Sequence, residues 1–153
     1  MVLIEDTRNQ VGKHKNIARY CEQVGITLAR SKLYVGDYQI ANKGDIAVDT
    51  KESVMELSSN VFQEHRRFRD ECIRAKDAGI QLIILIEEVL PVGGLRKWKS
   101  PIGRDGLPLS RINPATLRKA MITMQEEYGV KFRFCDARST GKVLIEYLKG
   151  ERK

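Results

Sequence analysis

The sequence predicts an α/β domain: a mixed β-sheet with helices on both faces. Three observations predict it. Strand-like runs are followed in turn by amphipathic helical stretches, the order that covers both faces of a sheet. The run Leu82–Ile86 is apolar at every position, as a buried strand is. Two adjacent strand-like runs, 33–40 and 46–50, flank a turn at Asn42-Lys43-Gly44 and read as a β-hairpin, which supplies an antiparallel part.

The elements follow in order. Val2–Glu5 is a short apolar strand leading into Asp6-Thr7-Arg8. A helix over about 13–24 carries Ile17, Tyr20, Cys21 and Val24 at helical spacing, with Gly25 as its terminator. After the hairpin, Ser58, Ser59 or Asn60 can cap a second helix. Its apolar stripe is Val61, His65, Phe68, Cys72 and Ala75, and Gly79 ends it. Gln81–Ile86 is the buried strand, closing on Glu87-Glu88. Residues 91–112 are broken by Pro91, Gly93, Gly94, Pro101, Gly103, Gly106 and Pro108 and read as a long basic loop. Asn113-Pro114 starts a third helix, with Leu117, Met121, Met124 and Tyr128 inward and Gly129 as its stop. Val130, Phe132 and Phe134 alternate as a strand. Thr140 caps a last helix running to Lys149. The order is β-α-β-β-α-β-loop-α-β-α, within a single domain spanning 1–153.

Composition narrows the function classes. The chain has 153 residues and a formal charge of +7, with a sequence pI of about 9.4. That balance favours a polyanionic partner, nucleic acid before membrane. No run reaches membrane-spanning length, and no signal peptide is read at Met1–Glu5, where charge arrives at once. Cys21, Cys72 and Cys135 are isolated and read as reduced thiols of an intracellular protein. With only His14 and His65 besides, a zinc site is not expected. Ser139-Thr140-Gly141-Lys142 resembles the end of a phosphate-binding loop. The motif also needs a glycine at Asp136 and a hydroxyl residue at Val143, so no nucleotide cofactor is expected.

The chemistry-bearing residues lie in the hairpin. Alternation puts Asp49 and Lys51 on one face of its second strand, while Leu33, Val35 and Asp37 share a face of the first. Pairing the strands brings two carboxylates and an ammonium to one edge. Two carboxylates hold a hard divalent cation. A lysine beside them orients water and stabilises phosphate charge, the minimal kit for metal-assisted phosphodiester hydrolysis. An acid-X-Lys tripeptide is also a common solvated strand end. The hairpin that couples it to Gly36-Asp37 is what favours chemistry here.

Those residues, in that element order, resemble the nuclease domain of the XPF family of structure-specific endonucleases, a branch of the PD-(D/E)XK superfamily with a restriction-endonuclease-like fold. The resemblance covers nearly the whole chain. It rests on Ile4-Glu5-Asp6-Thr7-Arg8, Val35-Gly36-Asp37-Tyr38, Asp49-Thr50-Lys51 and Leu85-Ile86-Glu87, with Phe132–Asp136, Thr140 and Leu144–Leu148 at the end. It departs from the family pattern at Thr50, where the family has arginine, at Met55, where an Asp often follows, and at Asn9, where the family has Glu. It is most similar to the single-domain versions found in phages and prophages, which implies a location in bacterial or phage-infected cytoplasm.

The resemblance implies a DNA endonuclease, dependent on Mg²⁺ or Mn²⁺, acting on branched or flapped DNA in repair or recombination. It implies Asp37 and Asp49 as metal ligands and catalytic residues. The Thr50 carbonyl would be a third ligand and Asp6 an outer or second-metal carboxylate. Lys51 would be the catalytic lysine. Arg8 follows Asp6 in the family signature and is a candidate DNA contact. Glu5 points away from Asp6 by alternation, and Glu87 ends the buried strand as either a site acid or an ion-pair partner. Arg66, Arg67 and Arg69 on the second helix, and Lys97, Trp98, Lys99 and Arg104 in the basic loop, are further candidate DNA contacts. In that set Trp98 offers its indole for stacking on a splayed base. His65, on the apolar stripe of its helix, reads as a histidine at the edge of the core in preference to a catalytic one. Family members often dimerise through their last strand and helices, so Phe132, Tyr147 and Leu148 read either as a homodimer surface or simply as core. Loss of the arginine keeps a second reading open: a non-catalytic branched-DNA-binding subunit.

Overall fold

The computed structural model of the protein describes all 153 residues. Its strands are β1 (Val2–Asp6), β2 (Thr27–Ser31), β3 (Tyr38–Ile40), β4 (Lys43–Lys51), β5 (Gln81–Ile86) and β6 (Lys131–Phe134). Its helices are α1 (Lys15–Val24), α2 (Val54–Phe62), α3 (His65–Asp77), α4 (Pro114–Tyr128) and α5 (Thr140–Leu148). The strands form one sheet in the order β2-β1-β3-β4-β5-β6. β3 pairs antiparallel with β1 and β4, and the other pairs are parallel.

Both faces of the sheet are covered. Leu82, Ile84 and Ile86 of β5 pack with α2, α3 and α4. Ile83 and Leu85 point the other way and pack with α1 and α5. A strand apolar at every position is the expected product of burial on both faces. The same alternation divides β4: Ala47 joins the α2–α3–α4 side and Val48 the α1–α5 side. Gly141 explains the apparent phosphate-loop fragment. It lies in α5 against α1, where a Cβ would sit 2.5 Å from Tyr20 Cβ, so it serves close helix packing.

The structure corrects four features of the sequence reading. First, β2 is a strand that the pattern does not reveal, because it is a half-exposed edge with no apolar alternation. Second, the first hairpin strand contracts from 33–40 to Tyr38–Ile40, β4 starts earlier, at Lys43, and Asn42 takes the left-handed turn position with φ 63°. Residues 33–37 cross into β3 as an irregular segment. Gly36 is there at φ +76°, where an added Cβ would sit 3.1 Å from both Ala47 Cβ and Val48 O. A glycine lets the chain close onto β4, and Asp37 N then donates to Val48 O at 2.8 Å.

Third, the second helix is two helices, broken at Gln63–Glu64. The first is capped by Ser53, whose Oγ accepts from Glu56 N at 3.1 Å while Glu56 Oε2 accepts from Glu52 N at 2.8 Å. Glu56 thus reaches back one residue beyond the Ser53 cap, a variant of the capping box, and Ser58, Ser59 and Asn60 lie inside α2. His65 opens α3 as an exposed residue, its Nδ1 3.1 Å from Val61 O. Fourth, the 91–112 segment is anchored by a 3-10 turn at Leu95–Lys97, with Leu95 and Trp98 in the core.

The Trp98 anchor runs through Glu88. Its Oε2 accepts from Trp98 Nε1 at 2.6 Å, and its Oε1 accepts from Val54 N at the start of α2 at 3.0 Å. Glu88→Ala leaves both N–H groups without a partner and should cost about 2–3 kcal/mol. Urea denaturation of the variant checks this, and an unchanged midpoint would show that the two bonds add nothing.

The third helix begins as expected. Asn113 Oδ1 accepts from Ala115 N and Thr116 N at 3.0 and 3.3 Å, with Pro114 at the first helical position. Phe132, Tyr147 and Leu148 are 6%, 4% and 1% exposed within the single chain. They are core residues and offer no surface to a second copy. No helix is long and apolar enough to cross a membrane, and all three cysteines are free.

Candidate active site

The carboxyl end of β4 carries the site. Asp49 and Lys51 face α2 and α3 and are 6% and 8% exposed. Lys51 Nζ lies 3.1 Å from Asp49 Oδ2, donates to Asn60 Oδ1 at 2.9 Å and sits 5.4 Å from the Phe68 ring centroid. Burial works against the Lys51 charge, but Asp49, with Asp37 and Glu71 behind it, outweighs burial and raises its pKa. The ammonium is therefore fixed and charged.

Asp37 enters from the bend before β3. Its Oδ2 accepts from both Thr50 N and Thr50 Oγ1 at 2.9 Å. Its carboxylate also lies within hydrogen-bond reach of Asp49. Burial and the Asp49 charge hold the Asp37 carboxyl well above the usual carboxylate range. Thr50 points to the opposite sheet face, where its Oγ1 lies 3.3 Å from His14 Nε2. With its own proton given to Asp37, Oγ1 accepts from His14 Nε2–H. His14 Nδ1 faces Glu87 Oε1 at 3.8 Å. Burial lowers the pKa of this imidazole and raises that of Glu87.

A third carboxylate, absent from the sequence reading, completes the group. Glu71 of α3 reaches Asp49 from the helix side, and burial followed by the Asp49 charge pushes it up to about 8. Its Oε1 is buried with no hydrogen-bond partner. The only trace of it in the sequence is an acid three residues after Phe68, at the edge of the α3 apolar stripe. Asn60 and His14 join the site in ways their local sequence does not announce.

Asp49, Lys51, Asn60 and Glu71 open into a cavity of about 380 Å³ that Arg8, Arg67 and Arg74 also line, while His14 and Glu87 line a separate one. The inner wall is acidic and the rim carries guanidinium groups that stay charged. Such a wall suits a cation, and such a rim suits phosphate.

The remaining candidates separate. Asp6 is 2% exposed and has partners of its own: Oδ1 accepts from Leu33 N at 2.9 Å and Oδ2 from Arg8 Nε at 2.6 Å. It does not join Asp37 and Asp49 in a cluster, and no three His, Cys, Asp or Glu side chains are grouped to hold a metal ion. Asp6 thus clamps the 33–37 segment and aims Arg8. Glu5 faces the other way, as alternation requires, accepting from Tyr38 Oη and pairing with Arg30. Arg66 is exposed outside the cavity, and Arg69 lines a different groove between α3 and α4. Lys97, Lys99 and Arg104 are exposed on the loop. Trp98, at 6% exposure with its N–H bound to Glu88, has no face free for a base. Its burial overturns the stacking role expected of it.

Comparison with solved structures places this architecture. The protein is similar to XPF from Aeropyrum pernix, with a TM-score of 0.67 and 19% identity over 100% of this chain and 66% of that one. It is also similar to XPF from Aeropyrum pernix in complex with DNA, with a TM-score of 0.68 and 19% identity over 98% of this chain and 64% of that one. The chain thus spans about two thirds of the length of either. At this identity the likeness shows the fold. No curated protein matches the sequence. The ERCC4 domain family matches residues 6–147, from the Asp6 clamp through the sheet to the end of α5. The chain belongs to the ERCC4 domain family.

Proposed function

We propose that the protein is a Mg²⁺- or Mn²⁺-dependent DNA endonuclease acting on branched or flapped DNA. The observation that carries this is the buried Asp49–Lys51 pair at 3.1 Å, with Asp37 and Glu71 each beside Asp49 and one Glu71 oxygen unpartnered. One buried and two half-buried carboxylates against one ammonium leave negative charge uncompensated, and an all-oxygen donor set suits a hard divalent ion. Asp37, Asp49 and the Thr50 carbonyl would hold it. When bound, the ion polarises the phosphodiester and acidifies the attacking water.

The protein's own residues do the rest. Thr50 fixes Asp37 from two donors. Asn60 and Phe68 hold Lys51 in place, where its ammonium donates to a non-bridging oxygen of the scissile phosphate as charge develops. Arg8 and Arg67 hold neighbouring phosphates at the rim. Cleavage would leave a 3′-hydroxyl and a 5′-phosphate. The test is incubation of labelled fork, flap, four-way-junction and linear duplex DNA with Mg²⁺, Mn²⁺ or EDTA. Metal-dependent cutting of the branched substrates is expected.

The alternative is a non-catalytic subunit that binds branched DNA. Thr50 in place of the family's arginine, and an Asp6 occupied by Arg8, favour it. Tight junction binding with no cutting in any metal would establish it.

Thr50 offers a finer check. Thr50→Val removes one of two donors to Asp37 and the acceptor for His14. Mn²⁺ affinity should fall about 10- to 100-fold, and Thr50→Ser should restore it. Isothermal titration calorimetry measures both; equal affinity in the valine variant would remove the hydroxyl from the site's support.

A further inference from the structure

The 101–109 segment folds as a hairpin whose large apolar side chains lie outside the core. Leu109 N donates to Pro101 O and Gly103 N to Leu107 O, each at 2.8 Å, around an Ile102–Pro108 bridge. Asp105 Oδ1 accepts from Leu107 N at 3.0 Å, and Ser100 Oγ accepts from Ser110 N at 2.9 Å. This hydrogen-bonded hairpin holds Ile102, Leu107 and Leu109 outward at 61%, 63% and 59% exposure. Alternation sets Leu107 and Leu109 on one face of the hairpin and Ile102 with Pro108 on the other. Both faces are apolar and neither is covered. Apolar side chains gathered on an exposed projection mark an interaction site.

The surrounding charge selects the partner. Residues 91–112 hold Arg96, Lys97, Lys99, Arg104 and Arg111 against one acid, Asp105. A second copy would bring the same cations into contact, whereas nucleic acid offers phosphates to the cations and base faces to the apolar tip. The hairpin is also positioned. Its base is tied through Trp98 and Glu88 to the first N–H of α2, and α2 supplies Asn60 to Lys51.

We infer that this hairpin reads the branch point of the DNA, its Ile102, Leu107 and Leu109 side chains packing on base faces exposed where strands separate. The inference rests on the proposed function for its substrate class, and it assigns structure preference to the apolar tip, with the cations supplying affinity common to all DNA.

The experiment measures binding of the full chain to a fork and to a linear duplex of the same length, in EDTA, by fluorescence anisotropy. The fork carries 2-aminopurine at the junction. The wild type should prefer the fork and raise the 2-aminopurine signal. The Ile102→Ser/Leu107→Ser double variant should lose about tenfold of that preference and the signal, with duplex affinity and thermal midpoint unchanged. Arg104→Ala should weaken fork and duplex alike. A double variant that keeps the fork preference overturns the inference. So does a wild-type dimer in sedimentation that the double variant dissolves, since the occupant is then a second copy. Because binding is read without metal, failure of either reading is distinguishable. A protein that prefers forks but cuts nothing loses the nuclease, and one that cuts DNA without fork preference loses the branch reader.

Discussion

Asp37→Asn should reduce metal-dependent cleavage by roughly a thousandfold while leaving the metal-free protein at least as stable as the wild type. The two effects have one cause. Asp37 is held above the usual carboxylate range by burial and by Asp49, so its charge is a liability when no cation is bound. An asparagine oxygen still accepts from Thr50 N and Oγ1, and the like-charge contact with Asp49 disappears. The loss in rate follows from removing an anionic ligand, because a bound ion contributes several kcal/mol of transition-state stabilisation. Cleavage assays with thermal melts on the same preparations check both parts. A purely structural Asp37 predicts the reverse: a lower melting point and no specific loss of metal-dependent activity.

The second large effect is on stability against pH. Glu71 sits at about 8 in the folded chain, against an ordinary glutamate value of about 4.3. Between those values the folded protein keeps a proton that the unfolded chain has released. Its contribution to stability is complete below the lower value and is lost as pH rises through about 8. Asp37, also raised, adds the same sign. His14, whose pKa burial lowers from 6.5, adds the opposite sign, but only at and below that value. In EDTA, the melting temperature should therefore fall between pH 6.5 and 8, by about 5 °C or more. Glu71→Gln should flatten the slope and raise stability at pH 8. Mn²⁺ should do the same for the wild type, because a bound cation replaces the retained protons. A melting temperature independent of pH over that range would show that the carboxylates are not forced together.

The parts of this site readable from sequence were those set by local geometry. Asp49 and Lys51 share a face because they are two apart on a strand, and Gly36 precedes Asp37 because a close backbone approach needs it. The buried strand β5 and the Asn113-Pro114 helix start were legible for the same reason. What stayed hidden depends on tertiary partners. β2 shows no alternation because it is an exposed edge. The break between α2 and α3 was masked because Val61, Phe68 and Cys72 keep helical spacing across it. Trp98 sits among lysines in the sequence, and only Glu88, ten residues away, shows that its indole faces inward. Glu71 acquires meaning only when α3 docks beside β4, and His14 only when the segment before α1 folds over Thr50.

The most direct measurement follows Mn²⁺ binding and fork cleavage together across one titration, with wild-type and Asp49→Asn proteins. If Asp37, Asp49 and Lys51 form a metal-dependent nuclease site, wild-type binding and cleavage rise over the same Mn²⁺ range, and the variant loses both while remaining folded. Cleavage that persists in EDTA, or Mn²⁺ binding that survives in the variant without change, would contradict it.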